Sequence, residues 1–142
     1  MRKNIGRIAV CVVLPLAVGG LLYYLFCPDV IFVKKIDSVT NIDMHVKVSG
    51  ALAKPLQIFR NYFFDLLWAY ALASMIYLFI ENNAHAGIWS ICGATLLGAL
   101  LEILQLLGVS PGTFDFWDIL IECGGAVAGV IIIKNYKEED AK

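Results

Sequence analysis

Apolar residues run along this chain in four blocks, too long and too unbroken for the alternation of a half-buried strand or the one-sided stripe of a surface helix. The blocks cover about residues 8–26, 63–80, 87–107 and 116–133, and about twenty apolar residues in helical form cross a hydrocarbon layer. Each block therefore predicts a transmembrane helix. The expected fold is all-α and polytopic, a single membrane domain over 1–142. The fourth block is the one interrupted by two acids, Asp118 and Glu122.

Between the first two blocks, residues 27–62 form the one substantial polar connection. Its segments VIFVKKI and MHVKV alternate apolar and polar positions, and DSVTNID between them is rich in turn formers. This pattern suits two short strands or extended pieces, too small for a domain of their own. ENNAHA after the second block predicts a tight polar turn, and the third connection carries Ser-Pro-Gly at 110–112.

Composition supports lipid as the solvent. Of 142 residues 60% are hydrophobic and 16% charged, with a mean hydropathy of +0.77, more apolar content than one small soluble core uses. The net charge of −1 supplies no basic field for nucleic acid. Cys11, Cys92 and Cys123 sit inside apolar runs and Cys27 at the end of one, without the paired spacing of a disulfide scaffold or zinc site.

The basic N-terminus before an apolar run also fits a secretory signal, but the run is longer than a signal core. It ends in Tyr23, Tyr24, Leu25 and Phe26 rather than small cleavage-site residues, so an uncleaved helix is expected. The same bulky residues break the pattern of a lipoprotein site at Cys27. Arg2, Lys3 and Arg7 precede the first block and Lys134, Lys137 and Lys142 follow the last, against Lys34, Lys35, Lys47, Lys54 and Arg60 in the first connection. The first helix usually sets orientation, which puts both termini in the cytoplasm and residues 27–62 outside.

Four spans place the first and third connections on one side of the membrane. Asp65 lies about one and a half turns into the second span from that side, Glu102 and Gln105 in the last turns of the third, and Asp115, Asp118 and Glu122 at the start of the fourth. Asp115, Asp118 and Glu122 stand at i, i+3 and i+7, and Glu102 and Gln105 at i and i+3, so each set shares one helix face. Carboxylates inside a bilayer are costly and turn toward one another, toward water or toward a ligand. Asp115 and Asp118 also fit a plain structural role, capping a helix N-terminus and meeting its dipole. Glu102 and Glu122 lie too deep in their spans for that, which makes them the stronger site candidates.

With Arg60 and Lys54 the nearest cations, a cationic ligand or a divalent cation bridging carboxylates to an anionic headgroup would balance the acids. No resident cofactor is expected. Gly125 and Gly129, with Ala94 and Gly98 in the third span, read as close-packing positions. Trp68, Trp89 and Trp117 read as interfacial anchors. His45 and His85 are lone loop histidines, and Ser74 and Ser90 have no His or Lys partner in register for hydrolase chemistry.

The stretch LEILQLLGVSPGTFDFWDILIECGGAVAG resembles the VanZ-like family of bacterial membrane proteins. The shared features are an acid and a glutamine closing one span, a short Gly/Pro turn, a Phe-Asp pair with a second Asp three residues on, and glycines beyond. Glu102, Gln105, Asp115, Asp118, Gly125 and Gly129 match, as do Asp65 and Trp68 in RNYFFDLLWAYAL. Gly112 stands where members often carry Arg, and Glu122 where they often carry Asn. The first span and KKIDSVTNIDMHVKV match no family motif. The resemblance implies a bacterial inner-membrane protein, with some members linked to reduced susceptibility to glycopeptides such as teicoplanin.

The expected function is accordingly non-enzymatic. A pocket of Asp65, Glu102, Gln105, Asp115, Asp118 and Glu122, with Arg60 beside it, binds an envelope lipid, a cell-wall precursor lipid or a lipid-like antibiotic near the outer face. The alternatives are a metal-assisted enzyme acting on a lipid-linked phosphoryl or glycosyl group, for which no complete catalytic motif is present, and a small transporter, which would need an oligomer.

Overall fold

A computed structural model describes residues 2–28, 31–41, 44–46, 53–110 and 112–139, with the side chains of 2–4, 31, 32, 53–61 and 137–139 outside that description. Among the described residues the chain is helical and contains no strand. The elements are α1 (Arg2–Ile8), a π-helical turn (Ala9–Val13), α2 (Leu14–Phe26), α3 (Ile31–Thr40), α4 (Ala53–Ile80), α5 (Ala86–Leu106) and α6 (Phe116–Glu139). Four stretches are long and apolar enough to cross a membrane: Ile5–Phe26, Tyr62–Ile80, Ala86–Leu106 and Phe116–Tyr136. They coincide with the predicted blocks to within three residues, and the protein is a multi-pass membrane protein by this measure.

The first span is continuous through α1, the π turn and α2. Pro15 has no N–H, and its ring would press on the carbonyl four residues back in a regular helix. The wider turn just before it, where the Leu14 N–H reaches the Ala9 carbonyl, takes up that misfit.

Helix α4 is central: it packs against α6, α5 and the first span, and α5 and α6 also pack on each other. The buried core is made of small residues, among them Cys11, Ala73, Ala86, Ala94 and Ala126, closed by Tyr77, Val130 and Ile133. Large apolar side chains such as Leu21, Phe79, Leu96 and Ile131 point outward, as expected where the surroundings are as apolar as the core. The glycines set the closest approach. A Cβ on Gly125 would collide with the Leu66 carbonyl, and one on Gly129 would stand 2.5 Å from the Tyr70 carbonyl and 2.9 Å from Ser74 Oγ. Gly125 and Gly129 of α6 thus lie directly over the backbone of α4 one turn apart, which confirms their packing role.

One end of the bundle gathers basic groups. Arg7 of the first span donates to Glu81 after α4 at 2.7 Å, both largely buried, and Lys134 of α6 lies 6.0 Å from the centre of the Tyr77 ring. The opposite end carries the α5–α6 connection and the first connection.

That first connection departs from expectation. Of VIFVKKI, all but Val30, which lies outside the described residues, is helical: residues 31–40 form α3, which takes in the first four residues of the expected turn DSVTNID, and α4 begins at Ala53, well before its membrane span. Val33 and Ile36 are apolar in either reading, but three residues apart on a helix they share a face, and that face lies on the first span and α4. Ser38 and Thr40 turn their hydroxyls back to the carbonyls of Lys35 and Ile36, and Asn41, at φ +54°, ends the helix in the left-handed region. Of MHVKV, residues 44–46 have no regular structure, Val46 N–H bonding to the Leu25 carbonyl, and residues 47 and 48 lie outside the described set.

His45 fastens this segment. Its Nδ1 lies 3.0 Å from the Tyr24 carbonyl and its Nε2 2.7 Å from Asp37 Oδ2. Both neighbours are acceptors, so the imidazolium satisfies both contacts. Tyr24 OH donates to the other Asp37 oxygen at 2.8 Å. The His45 bond and then the Tyr24 bond hold the Asp37 carboxyl below the usual carboxylate range.

Two outcomes are expected from these contacts. Gly125→Ala or Gly129→Ala forces α4 and α6 apart and costs about 1–3 kcal/mol, the range for overpacking; thermal unfolding in mild detergent reads this. Gly124→Ala, with open space around it, is the control that leaves stability unchanged or raised. The α3 clasp is pH-dependent. A depressed folded-state pKa means its contribution is complete above the ordinary carboxylate value near pH 4 and is lost as pH falls through the lowered value. Amide protection across residues 31–41 and 44–46, taken relative to the intrinsic exchange rate at each pH, should fall several-fold on that descent, and Asp37→Asn should show the lowered protection already at neutral pH.

Candidate functional site

At the end of the bundle opposite Arg7 and Glu81, carboxylates from α4, α5 and α6 converge. Glu122, two turns into α6, is 5% exposed. Its Oε1 accepts a hydrogen bond from Trp68 Nε1 of α4 at 2.9 Å, while Oε2 is buried and meets no donor among the described residues. The carboxylate sits in the notch left by Gly98 of α5, where any side chain would overlap it. Three helices therefore define its position: α6 carries it, α4 donates to it and α5 makes room.

Glu102, one turn beyond Gly98 on α5, is 6% exposed, and its Oε2 accepts the backbone N–H of Asp115 at 2.8 Å. Asp115 in turn caps α6, its Oδ1 accepting the Trp117 N–H at 2.9 Å, with Tyr62 OH 3.4 Å from Oδ2. The capping role weighed for Asp115 is present. Glu102, too deep in its span to cap its own helix, instead ties down the residue that caps the next one. Asp118 follows in the first turn of α6, half-buried, where an acid meets the positive end of the helix dipole. Asp65 of α4 is half-buried within electrostatic reach of Asp118, Glu122, Glu102 and Asp115. All five acids thus gather at one end, as the spacing predicts.

Gln105 packs over Gly112 in the α5–α6 connection, 2.7 Å from where a Cβ would stand, and Gly112 has φ +134°. A side chain there would be strained in backbone and crowded by Gln105. The glycine at this position is thus demanded by the shape of the turn. The Arg60 side chain lies outside the described residues. Among the described residues no three His, Cys, Asp or Glu side chains are grouped to hold one metal ion, so the metal-bridged version of the site gains no support from geometry.

Two members of the site were not anticipated. Trp68 was expected as an interfacial anchor; it is instead the donor to Glu122. Its position three residues after Asp65, on the same helix face, was the available signal. Gly98 was expected as a packing position, and its place four residues before Glu102 puts it on the acidic face of α5. Trp89 and Trp117, by contrast, are exposed as anchors would be.

No family model, curated protein or solved structure matches the chain.

Trp68→Phe removes the one donor to Glu122 among the described residues and should lower stability by about 1–3 kcal/mol, the cost of leaving a buried acceptor unmet. The loss should shrink in a Glu122→Leu background, where no acceptor remains. A double-mutant cycle from detergent unfolding curves measures that coupling.

Proposed function

We propose that this chain is a VanZ-like protein of the bacterial inner membrane, with both termini cytoplasmic, that binds the headgroup of an envelope lipid or a lipid-like glycopeptide at its carboxylate pocket. The observation that carries the reading is the burial of Glu102 and Glu122, on different spans, at one end of the bundle beside Asp65 and Asp118. Taking carboxylates out of water at membrane depth is costly, and the donors around them, one indole and one backbone N–H, meet only part of their capacity. A ligand that brings N–H or ammonium groups to these oxygens would complete them. The excess of acid favours a headgroup bearing a protonated amine over a purely anionic one.

A pocket of this kind acts by sequestration. A carboxylate held by a tryptophan and a neighbouring helix is pre-organised, so little ordering entropy is lost when the headgroup docks. Binding near the outer face would withhold a lipid-like antibiotic from its target, in keeping with what the family resemblance implies about teicoplanin. No covalent step is required.

The test is binding of dye-labelled teicoplanin, and separately of phosphatidylethanolamine, to the full chain in nanodiscs. Glu102→Gln, Asp118→Asn and Glu122→Gln should each weaken binding of at least one probe by about ten- to a hundredfold, the worth of a charge-assisted hydrogen bond. Unchanged affinity for both probes, together with unchanged glycopeptide susceptibility of cells producing these variants, would sink the reading.

A further inference from the structure

A second feature lies beside the carboxylates. The first span, α3 and α4 enclose a cleft of about 250 Å³, walled by Pro15, Gly20, Tyr23, Ile36, Phe64 and Trp68 among others, almost wholly apolar. Its shape follows from the sequence. Gly19 lets α2 approach Leu67 and Phe64 of α4 at ordinary contact distance, and Tyr23 meets Phe64 edge-on with ring centres 5.0 Å apart. Gly20, on the adjoining face, has nothing within 4 Å of where its side chain would begin, so the space beyond it is left open. Helix α3, fastened through Asp37, His45 and Tyr24, roofs one end.

Three observations say what fits there. The cleft lies between two membrane spans, at the depth where lipid is the solvent. It runs lengthwise: its wall on the first span extends from Tyr24, near the end of the span, to Pro15, nine residues deeper, or roughly 14 Å at 1.5 Å per residue. An apolar groove that runs from the interface toward the midplane has the direction of an acyl chain. Its interfacial end, at Tyr24, lies at the same end of the bundle as the carboxylates, with which it shares a wall: Trp68 lines the cleft while its Nε1 donates to Glu122. Asp65 follows Phe64 of that wall directly.

We infer that the cleft is an acyl-chain subsite, and that the ligand of the carboxylate pocket is a lipid whose headgroup meets the acids at the interface while one chain lies between the first span and α4. This inference rests on the proposed headgroup site. It adds the class of ligand, a chain-bearing amphiphile rather than a soluble solute, and assigns Trp68 as the side chain in contact with both halves. The residues it involves, Gly20, Tyr23 and Phe64 above all, lie outside the carboxylate cluster.

Quenching of Trp68 by lipid bromine tests it. With Trp89 and Trp117 replaced by Phe, Trp68 is the single emitter in the full chain, reconstituted in vesicles where phosphatidylethanolamine brominated on its acyl chains is a minor component. A retained site should saturate: Trp68 emission falls at low fractions of brominated lipid and then levels off. A matching protein with only Trp89, which is exposed to lipid, should lose emission in proportion to the fraction added. Gly20→Leu fills the cleft from a position with free space and should convert the Trp68 curve to the proportional form. Gly124→Leu, also in open space but on α6, should not. Glu122→Gln keeps an oxygen for the Trp68 bond and should move saturation several-fold toward higher lipid fractions.

If Gly20→Leu abolishes saturation and Glu122→Gln leaves it in place, the chain subsite stands and the headgroup assignment falls. If the unaltered protein shows only proportional quenching, or if Gly20→Leu leaves saturation untouched, the subsite is overturned. It is equally overturned if Trp68 is shielded from bromine in a dimer that Gly20→Leu dissociates, since a second copy of the chain would then occupy the cleft.

Discussion

The close approach of α6 to α4 is the contact on which the rest of the structure depends. Gly125 and Gly129 place α6 on the backbone of α4 at Leu66 and Tyr70, nearer than any side chain allows. One turn before Gly125 on α6 stands Glu122, and two residues after Leu66 on α4 stands Trp68. The glycine contact therefore brings this carboxylate within 2.9 Å of this indole. In a membrane, where apolar surface gains little by leaving lipid, backbone proximity and polar contacts between helices supply the specificity that burial supplies in water. Here the two are adjacent on the same pair of helices and reinforce each other.

The polar groups of the bundle are divided between its ends. Arg7 and Glu81 neutralise each other at one end, with Lys134 nearby. At the other end the described groups are acids without a matching ion pair, held by neutral donors: an indole, a backbone N–H and the first turn of α6. Neutral donors position a carboxyl group without pairing it with an opposite charge. The contrast distinguishes the ion-paired end of the bundle from the acidic one by the kind of partner each charge has.

The first connection shows how a peripheral element takes part in a membrane site. Helix α3 contributes Val33 and Ile36 to the cleft and is tied to the first span through Asp37, His45 and Tyr24. Helix α4, packed on three sides, provides the fixed wall.

The sequence alone determined the four spans, because their signal is length and hydropathy, which lipid enforces without reference to partners. It also determined that Asp65, Glu102, Asp115, Asp118 and Glu122 collect at one end, since an even number of crossings and a 3.6-residue repeat leave little freedom. What those residues touch was not legible. Glu102 reaching Asp115 N–H, Glu122 resting in the Gly98 notch and Trp68 turning inward from an apparent anchor position depend on the rotation of each helix about its axis. Rotation is set by packing against neighbours, above all by the glycines. Helix α3 escaped detection for a related reason: Val33 and Ile36 are apolar in strand and helix alike, and only the surface they rest on chooses between the two. Hydropathy fixed which segments enter the membrane; tertiary contact decided which face of each helix meets the next, and a site made from three helices exists only after that decision.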